Sequence, residues 1–214
     1  MNTFPTAAPI AVSLDVLSAG VTVIASDRGD AVVRIAPADP GKKADVRAAE
    51  QTVVDFADGV LTVVTPKSWR TQTPFGGNPA IEVTIAVPTG SRLTGTVGVG
   101  QVLGAGELGP CDLSVSLGDI VIERPLGSVT AKTAKGNIRI GEAARGELRL
   151  EAAAGALEVG IRPGSSVRLE TTTALGTVRN LMDAVVASPA ADDLVRVVAR
   201  TSAGDITIRH TVAA

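Results

Sequence analysis

The sequence is poor in the side chains on which most catalytic and metal sites depend. Its 214 residues include one cysteine, one histidine, one tryptophan and no tyrosine, and aromatic residues make up 2% of the chain. One histidine and one cysteine cannot form a closed metal site, which usually needs four ligands. His210 is also the only histidine that a serine- or cysteine-based triad could use. We therefore expect no catalytic residue, no metal site and no cofactor.

The charges give no sign of a nucleic-acid partner. The net charge at pH 7 is −2, from 20 basic and 22 acidic residues, and the basic residues are scattered singly among the acids. A phosphate backbone needs a clustered basic surface, and single strands also need aromatic platforms. We expect neither a nucleic acid nor a small-molecule ligand, and the expected partner is another protein or a second copy of the chain.

Three further absences concern the compartment. Cys111 is the only cysteine, so no intramolecular disulfide can form. No stretch reaches the roughly 18 apolar residues of a membrane helix. No lysine or arginine precedes Arg28, although a secretory leader begins with basic residues. These absences favour a cytoplasmic protein, and an exported protein that has lost its leader is the alternative.

Glycine recurs with a regular spacing through the second half of the chain. The chain has 23 glycines and 12 prolines among 45% hydrophobic residues, which are mostly valine, isoleucine, leucine and alanine. β-Branched residues favour strands, and glycine suits corners that need a positive φ or a close backbone approach. We predict an all-β protein with these corner residues: Gly100, Gly109, Gly118, Gly127, Gly136, Gly155, Gly176 and Gly204.

Apolar and polar residues alternate between these glycines. Ile120 and Ile122 share one strand face, and Ile138 and Ile140 share the equivalent face of another strand. The glycines from 100 to 136 are nine residues apart, and the similar segments "SLGDIVI" and "AKGNIRI" are 18 apart. Two strands thus make one coil of about 18 residues, and successive coils stack as parallel strands about 4.8 Å apart. This pattern predicts a parallel β-solenoid.

Stacking also predicts contacts between polar residues. Arg139, Glu158 and Arg179 fall in one outward column of alternating sign, which stabilises neighbouring strands. At the corners, Asp119, Asn137 and Asp205 are expected to bond the backbone of their own turns.

Two motifs match known ligand sites by letters only. "GAGELG" at residues 104–109 has the glycine spacing of dinucleotide sites, but a strand-like segment follows it where those sites need a helix. The nine-residue period also occurs in calcium-binding repeats, which need a double glycine that these repeats lack. Neither motif is therefore expected to bind a ligand.

The rhythm is less regular before residue 89 and is interrupted once after it. Residues 1–88 form a β-rich section, either sandwich-like or made of the first coils, and residues 89–214 form the solenoid repeats. The gap between Gly176 and Gly204 places an insertion at 180–193. Binding residues are common in loops on a rigid scaffold. The predicted interaction residues are Trp69, Phe75, Leu181 and Met182.

Three features occur together in the chain and in one known family. They are "LSAGVTV" and "DGVLTV" in the N-terminal section, "VTIAVPTGSRL" at residues 83–93, and the units "SLGDIVI", "AKGNIRI" and "SAGDITI". In this order they make the chain resemble a bacterial family, common in actinobacteria, of β-strand-repeat proteins of unknown function that often carry the label "putative adhesin". The resemblance covers nearly the whole chain. It implies a solenoid-like fold and supplies no catalytic residue.

The expected function is that of a non-enzymatic scaffold or protein-interaction solenoid. A solenoid ends in strand edges that pair unless they are capped, so self-assembly through the ends is one expectation. A surface adhesin or polysaccharide-binding protein is the alternative. A carbohydrate-active enzyme, which would need clustered outward carboxylates, is a third reading.

Overall fold

The computed structural model describes residues 1–66, 79–182 and 194–211. These residues form seventeen strands and a single helix, α1 (Lys43–Gln51). The strands are β1 (Asn2–Pro5), β2 (Ala11–Ser26), β3 (Asp30–Pro37), β4 (Val53–Ala57), β5 (Val60–Val64), β6 (Ile81–Pro88), β7 (Arg92–Leu108), β8 (Cys111–Leu117), β9 (Ile120–Pro125), β10 (Val129–Lys135), β11 (Ile138–Ala143), β12 (Gly146–Ala154), β13 (Leu157–Ile161), β14 (Ser166–Leu175), β15 (Val178–Leu181), β16 (Leu194–Ala203) and β17 (Ile206–His210).

The strands form two stacks, and each coil contributes one strand to each stack. β2 and β7 run through a corner, so their first halves belong to one stack and their second halves to the other. In spatial order the first stack contains β4, β5, β2, β7, β8, β10, β12, β16 and β14. The second stack contains β1, β3, β6, β2, β7, β9, β11, β13, β17 and β15.

The inward side chains of both stacks form one hydrophobic core. Ile138 and Ile140 of β11 are at most 1% exposed, whereas Arg139 between them is exposed. Fully burying one such aliphatic side chain contributes roughly 1.5–3 kcal/mol. The core runs without a break from Ile10 to Ile208, so the N-terminal section and the repeats share it.

The strand registers give the coil length that the glycines indicate. Ile138 pairs with Ile120, which is 18 residues earlier, and with Leu157, which is 19 residues later. Neighbouring coils pair in parallel from β2 to β15. The prediction of a parallel β-solenoid is confirmed.

The spatial order of the coils differs from their sequence order at both ends. β16 pairs with both β12 and β14, so the last coil of the chain is inserted between two coils that precede it. At the other end, β2 lies between β5 and β7. The expectation that successive coils simply stack is therefore wrong for the terminal coils. The extra residues between Gly176 and Gly204 supply the chain length for the return.

Antiparallel strands close the N-terminal end. β4 pairs antiparallel with β5, and β3 pairs antiparallel with both β6 and β1. The rings of Phe4 and Phe56 lie 5.2 Å apart and link β1 to β4 across this end. Beside them, the buried carboxylate of Asp45 accepts hydrogen bonds from the backbone N–H groups of Asp39 and Ala80, at 3.2 and 3.1 Å. These contacts cover the core at one end.

The start of the predicted insertion belongs to a strand. Asn180 pairs with Ile208 and Leu181 pairs with Arg209, so both residues are part of β15 and not of a loop. Sequence spacing missed this because β15 pairs with the inserted strand β17. Residues 183–193, which make up most of the predicted insertion, lie outside the described residues.

Ion pairs connect the inserted strand β16 to both of its neighbours. Arg196 lies 3.7 Å from Glu147 of β12 and 3.9 Å from Glu170 of β14. Arg200 lies 3.0 Å from the same Glu170. Exposed pairs contribute only about 0.2–1 kcal/mol each. Their main effect is therefore to specify which strands lie beside β16.

A substitution of Gly136 tests the corner geometry. Its φ is 148°, and a Cβ at this position would overlap the carbonyl oxygen of Gly118 in the neighbouring coil. We expect Gly136→Ala to lower the free energy of unfolding by at least about 3 kcal/mol, because backbone strain and overlap act together. Urea unfolding followed by circular dichroism measures the loss.

Gly164→Ala is the matched control. Gly164 also has a positive φ, of 90°, but a Cβ there would meet no atom within 4 Å. This variant should therefore show only the conformational strain, about 1–2 kcal/mol. Equal losses in the two variants would show that contact between coils does not restrict the corner.

Candidate binding surface

Glycines line the corner that joins the first stack to the second. The corner glycines, with φ between 135° and 150°, are in spatial order Gly100, Gly118, Gly136, Gly155, Gly204 and Gly176. A Cβ on any of them would overlap the carbonyl oxygen of its neighbour in the stack. Gly109 and Gly127 stand at the opposite corner, where a Cβ would overlap the Gly90 carbonyl oxygen in the first case and lie 3.2 Å from Pro110 in the second.

Polar side chains at the glycine corner bond between coils. The Asp119 carboxylate accepts a hydrogen bond from the N–H of Asn137 at 2.6 Å, and the Asn137 amide oxygen accepts one from Ala156 at 2.9 Å. Asp205 accepts both the N–H and the hydroxyl of Thr177, at 2.8 and 3.0 Å. The prediction that these side chains bond their own turns is wrong. The strand ladder is interrupted at the corner, so the N–H of the neighbouring coil needs an acceptor.

Two further groups take part in the same corner. Three buried or half-buried threonine hydroxyls donate to glycine carbonyls one coil away, at 3.0–3.1 Å: Thr133 to Gly118, Thr201 to Gly155 and Thr173 to Gly204. The bonds from Thr177, followed by the charge of Arg179, lower the pKa of the Asp205 carboxyl, against a smaller opposing effect of burial. These corner groups are thus engaged in holding the stack together.

A shallow groove crosses the outer face of the first stack beside this corner. Its floor consists of small exposed side chains, each two positions before a corner glycine: Ser116, Ala134, Ala153, Ser202 and Ala174. We call this row the groove floor. Two depressions of about 420 and 450 Å³ lie along it, and both are lined by Glu151, Ala152 and Ser202.

Longer side chains stand on both sides of the groove floor. On one side the strand registers place a row of mostly charged and polar residues, namely Ser114, Lys132, Glu151, Arg200 and Thr172. On the corner side, Leu117 and Leu175 are 45% and 72% exposed. Because the strands beneath pair in a continuous ladder, the groove results from the lengths of the side chains.

The charged side of the groove alternates in sign. The Nζ atom of Lys132 lies 3.1 Å from the Oε2 atom of Glu151, and the Nη2 atom of Arg200 lies 3.0 Å from the Oε1 atom of Glu170. These side chains are 49–57% exposed. Exposed ion pairs are weak. Each of these groups can therefore exchange its present partner for a group on a bound molecule at little cost.

The charge column predicted on the second stack is interrupted. The Nε atom of Arg139 lies 3.8 Å from the Oε2 atom of Glu158, as the pairing of β11 with β13 requires. The next strand in space is β17, so Thr207 lies between Glu158 and Arg179. The placement of Arg179 beside Glu158 is therefore wrong, because the prediction assumed sequence order.

The predicted interaction residues do not lie at the groove. Trp69 and Phe75 are outside the described residues. Leu181 is 60% exposed, and Met182 packs partly against the core, both at the end of β15 away from the glycine corner. The groove floor was not predicted, although its signal is visible in the sequence. A small residue precedes the corner glycine by two positions in "SLG", "AKG", "AAG", "SAG" and "ALG".

The reactive side chains that are described lie apart from the groove. Cys111 is 3% exposed, and its Sγ atom donates to the carbonyl oxygen of Gly109 at 3.4 Å. Neither ring nitrogen of His210 has a hydrogen-bond partner. Within residues 1–66, 79–182 and 194–211, no group of three or more histidine, cysteine or acidic side chains is placed to bind a metal. No helix in these ranges has the length and hydrophobicity to cross a membrane.

Solved structures with a similar fold come from bacteria. The chain is similar to a "putative cell adhesion protein" from Clostridium sporogenes, with 13% identity, coverage of 97% of this chain and 96% of that one, and a TM-score of 0.55. It is also similar to a "putative adhesin" from Bacteroides fragilis, with 11% identity, coverage of 98% and 95%, and a TM-score of 0.40. At these identities the likeness concerns the fold alone. No protein-family model matches the sequence, and no curated protein matches it significantly.

The burial of Cys111 predicts its reactivity. Burial raises the pKa of this thiol from 9.0 to about 12, and a hydrogen bond from the Leu93 backbone opposes the change only weakly. The thiolate is the reactive form. We therefore expect no reaction with Ellman's reagent at pH 8 in the native protein and one equivalent of reaction after denaturation. Rapid stoichiometric labelling of the native protein would contradict the buried position.

The same shift makes stability depend on alkaline pH. The unfolded thiol ionises near pH 9, whereas the folded thiol stays protonated to about pH 12. Its contribution is therefore complete below pH 9 and is lost as the pH rises between these values. Cys111→Ala should show a smaller loss of unfolding free energy between pH 8.5 and pH 11 than the unsubstituted chain.

Proposed function

We propose that the chain is a non-catalytic binding protein that docks another protein on the outer face of its first stack. The groove floor carries this proposal. Five strands that are consecutive in space have serine or alanine at the same exposed position. Packing does not require small side chains there, because the next outward row holds lysine, glutamate and arginine. A row kept short without a packing reason suits a surface that another molecule must approach closely.

The surroundings of the groove floor favour a protein partner. Protein interfaces combine apolar contacts with polar and charged groups at the rim. Here Leu117 and Leu175 supply apolar surface on one side, and Lys132, Glu151 and Arg200 supply charges of both signs on the other. The described groove residues include no aromatic platform for a sugar ring. Five strands span about 19 Å, which seats an extended segment of about six residues.

Adhesion at a cell surface is the second candidate, as the biological setting of this binding. The likeness in fold to a bacterial protein whose name describes cell adhesion favours it. An adhesin must be exported, whereas the sequence favours the cytoplasm. Fractionation of the source cells, followed by immunoblotting, distinguishes the two settings. A cytoplasmic location would remove adhesion and leave the docking proposal intact.

Filling the groove tests the docking proposal. Ala153→Tyr combined with Ser202→Tyr places two large side chains on the groove floor, where the native residues are exposed and the fold should tolerate them. Thr84→Tyr is the matched control, because Thr84 is exposed on β6 in the second stack. Each purified protein is immobilised, exposed to extract of the source cells, and its retained proteins are quantified by mass spectrometry.

We expect at least one protein to be retained equally by the unsubstituted chain and the Thr84 variant, and at least tenfold less by the groove variant. Equal retention by all three would overturn the proposal. The same three proteins applied to a glycan array test the other class of ligand. Glycan binding that the groove substitutions abolish would replace the protein partner with a polysaccharide.

A further inference from the structure

The C-terminal end of the solenoid differs from the closed N-terminal end. β14 pairs with β16 and β15 pairs with β17, and among the strands of the described residues neither has a partner on its other edge. We call β14 and β15 the terminal edge. Val167 and Leu169 of β14 are only partly buried, whereas their partners Val195 and Val197 on β16 are fully buried. The outermost coil thus buries its inward side chains on one side only.

Apolar side chains are exposed at this same end. Leu175 is 72% exposed, Val178 is 45% exposed and Leu181 is 60% exposed. Leu194, which pairs with Ser166 of β14, is 48% exposed. Clustered apolar exposure is uncommon on monomeric proteins and marks interaction sites. A further layer of strands on the terminal edge would cover these residues.

A charge on β14 lacks a compensating acid. Arg168 lies directly opposite Arg196 in the ladder between β14 and β16. Arg196 has Glu147 and Glu170 within 4 Å, but no acid of the described residues lies that close to Arg168. Like charges directly opposite each other destabilise a sheet. An acid supplied from beyond the terminal edge would relieve this repulsion.

We propose that the terminal edge binds the terminal edge of a second copy of the chain about a two-fold axis, with β14 antiparallel to β14. An axis through Leu169 places Arg168 of each copy opposite Glu170 of the other, and the two Leu169 side chains meet at the centre. Charge complementarity is then satisfied twice by one symmetric contact. The Oε2 atom of Glu170 is 3.9 Å from Arg196 and is available for the second arginine.

The closed N-terminal end restricts the assembly to this dimer. A head-to-tail fibre would need the terminal edge to pair with β4 or β1, which are antiparallel additions at the N-terminal end. Pro5 in β1 lacks an N–H donor, which blunts that edge further. A two-fold contact uses both terminal edges and leaves none for further growth. The inference does not depend on the groove or on its partner.

Complementary charge reversals test the dimer with the full chain. We expect the unsubstituted protein to have twice the chain mass in light scattering and analytical ultracentrifugation at micromolar concentration. Arg168→Glu places two acids opposite two acids, and Glu170→Arg places two arginines opposite two arginines. Each variant should weaken the dimer at least about tenfold. An equimolar mixture of the two should form a mixed dimer, because both cross-pairs become attractive again.

Folding is monitored separately by circular dichroism and thermal unfolding. Arg168→Glu should fold at least as well as the unsubstituted chain, because it replaces a like-charge pair with an acid opposite Arg196. A monomer at all concentrations from micromolar to millimolar would overturn the proposal and show that the same chain covers the edge. A dimer unaffected by either variant, or an open-ended polymer, would overturn it as well.

Discussion

The fold depends on the absence of a side chain at one position in each coil. At the glycine corner the backbone turns with φ between 135° and 150°, and the space that a Cβ would need is occupied by the carbonyl oxygen of the neighbouring coil. This close approach keeps the coils at strand spacing where the chain passes from one stack to the other. The threonine hydroxyls and the oxygens of Asp119, Asn137 and Asp205 then satisfy groups that the interrupted ladder leaves open. The corner thus combines tight packing with nearly complete hydrogen bonding, and the inward apolar columns follow from it.

The sequence was sufficient to predict the fold class but not the order of the coils. Alternation at Ile138 and Ile140 and the spacing of Gly118 and Gly136 are local properties, and they determine strand, corner and coil length. The order of the coils depends on which coil stacks on which, and the inward residues hardly distinguish the choices. Leu148 and Leu150 of β12 can pack against the inward residues of either β14 or β16. The choice lies instead in outward charges such as Arg196 and in the length of the return connection, which single-coil patterns do not contain.

The candidate site was missed for a related reason. Sequence reasoning searched for side chains that could form contacts, and so favoured Trp69, Phe75, Leu181 and Met182. The groove floor is defined by short side chains, and its five members acquire a common position only after the coils have been stacked in the observed order. Ser202 and Ala174 are 28 residues apart in the sequence, yet their strands are neighbours. Likewise, the role of Asp119 could not be predicted from its own turn, because the N–H that it accepts belongs to the neighbouring coil.

The groove and the terminal edge have a joint consequence. In the proposed dimer the two first stacks continue each other through β14, so both outer faces lie on the same side of the assembly. Ala174 lies five residues beyond the axis at Leu169, and the partner's Ala174 lies five residues beyond it in the opposite direction. The two groove floors are therefore antiparallel and offset by about 33 Å along the strand direction. One extended segment cannot pass from one groove to the other, whereas two linked segments can occupy both. Linking two binding events in this way raises the apparent affinity without any new contact, so the dimer favours a partner that presents its binding segment repeatedly.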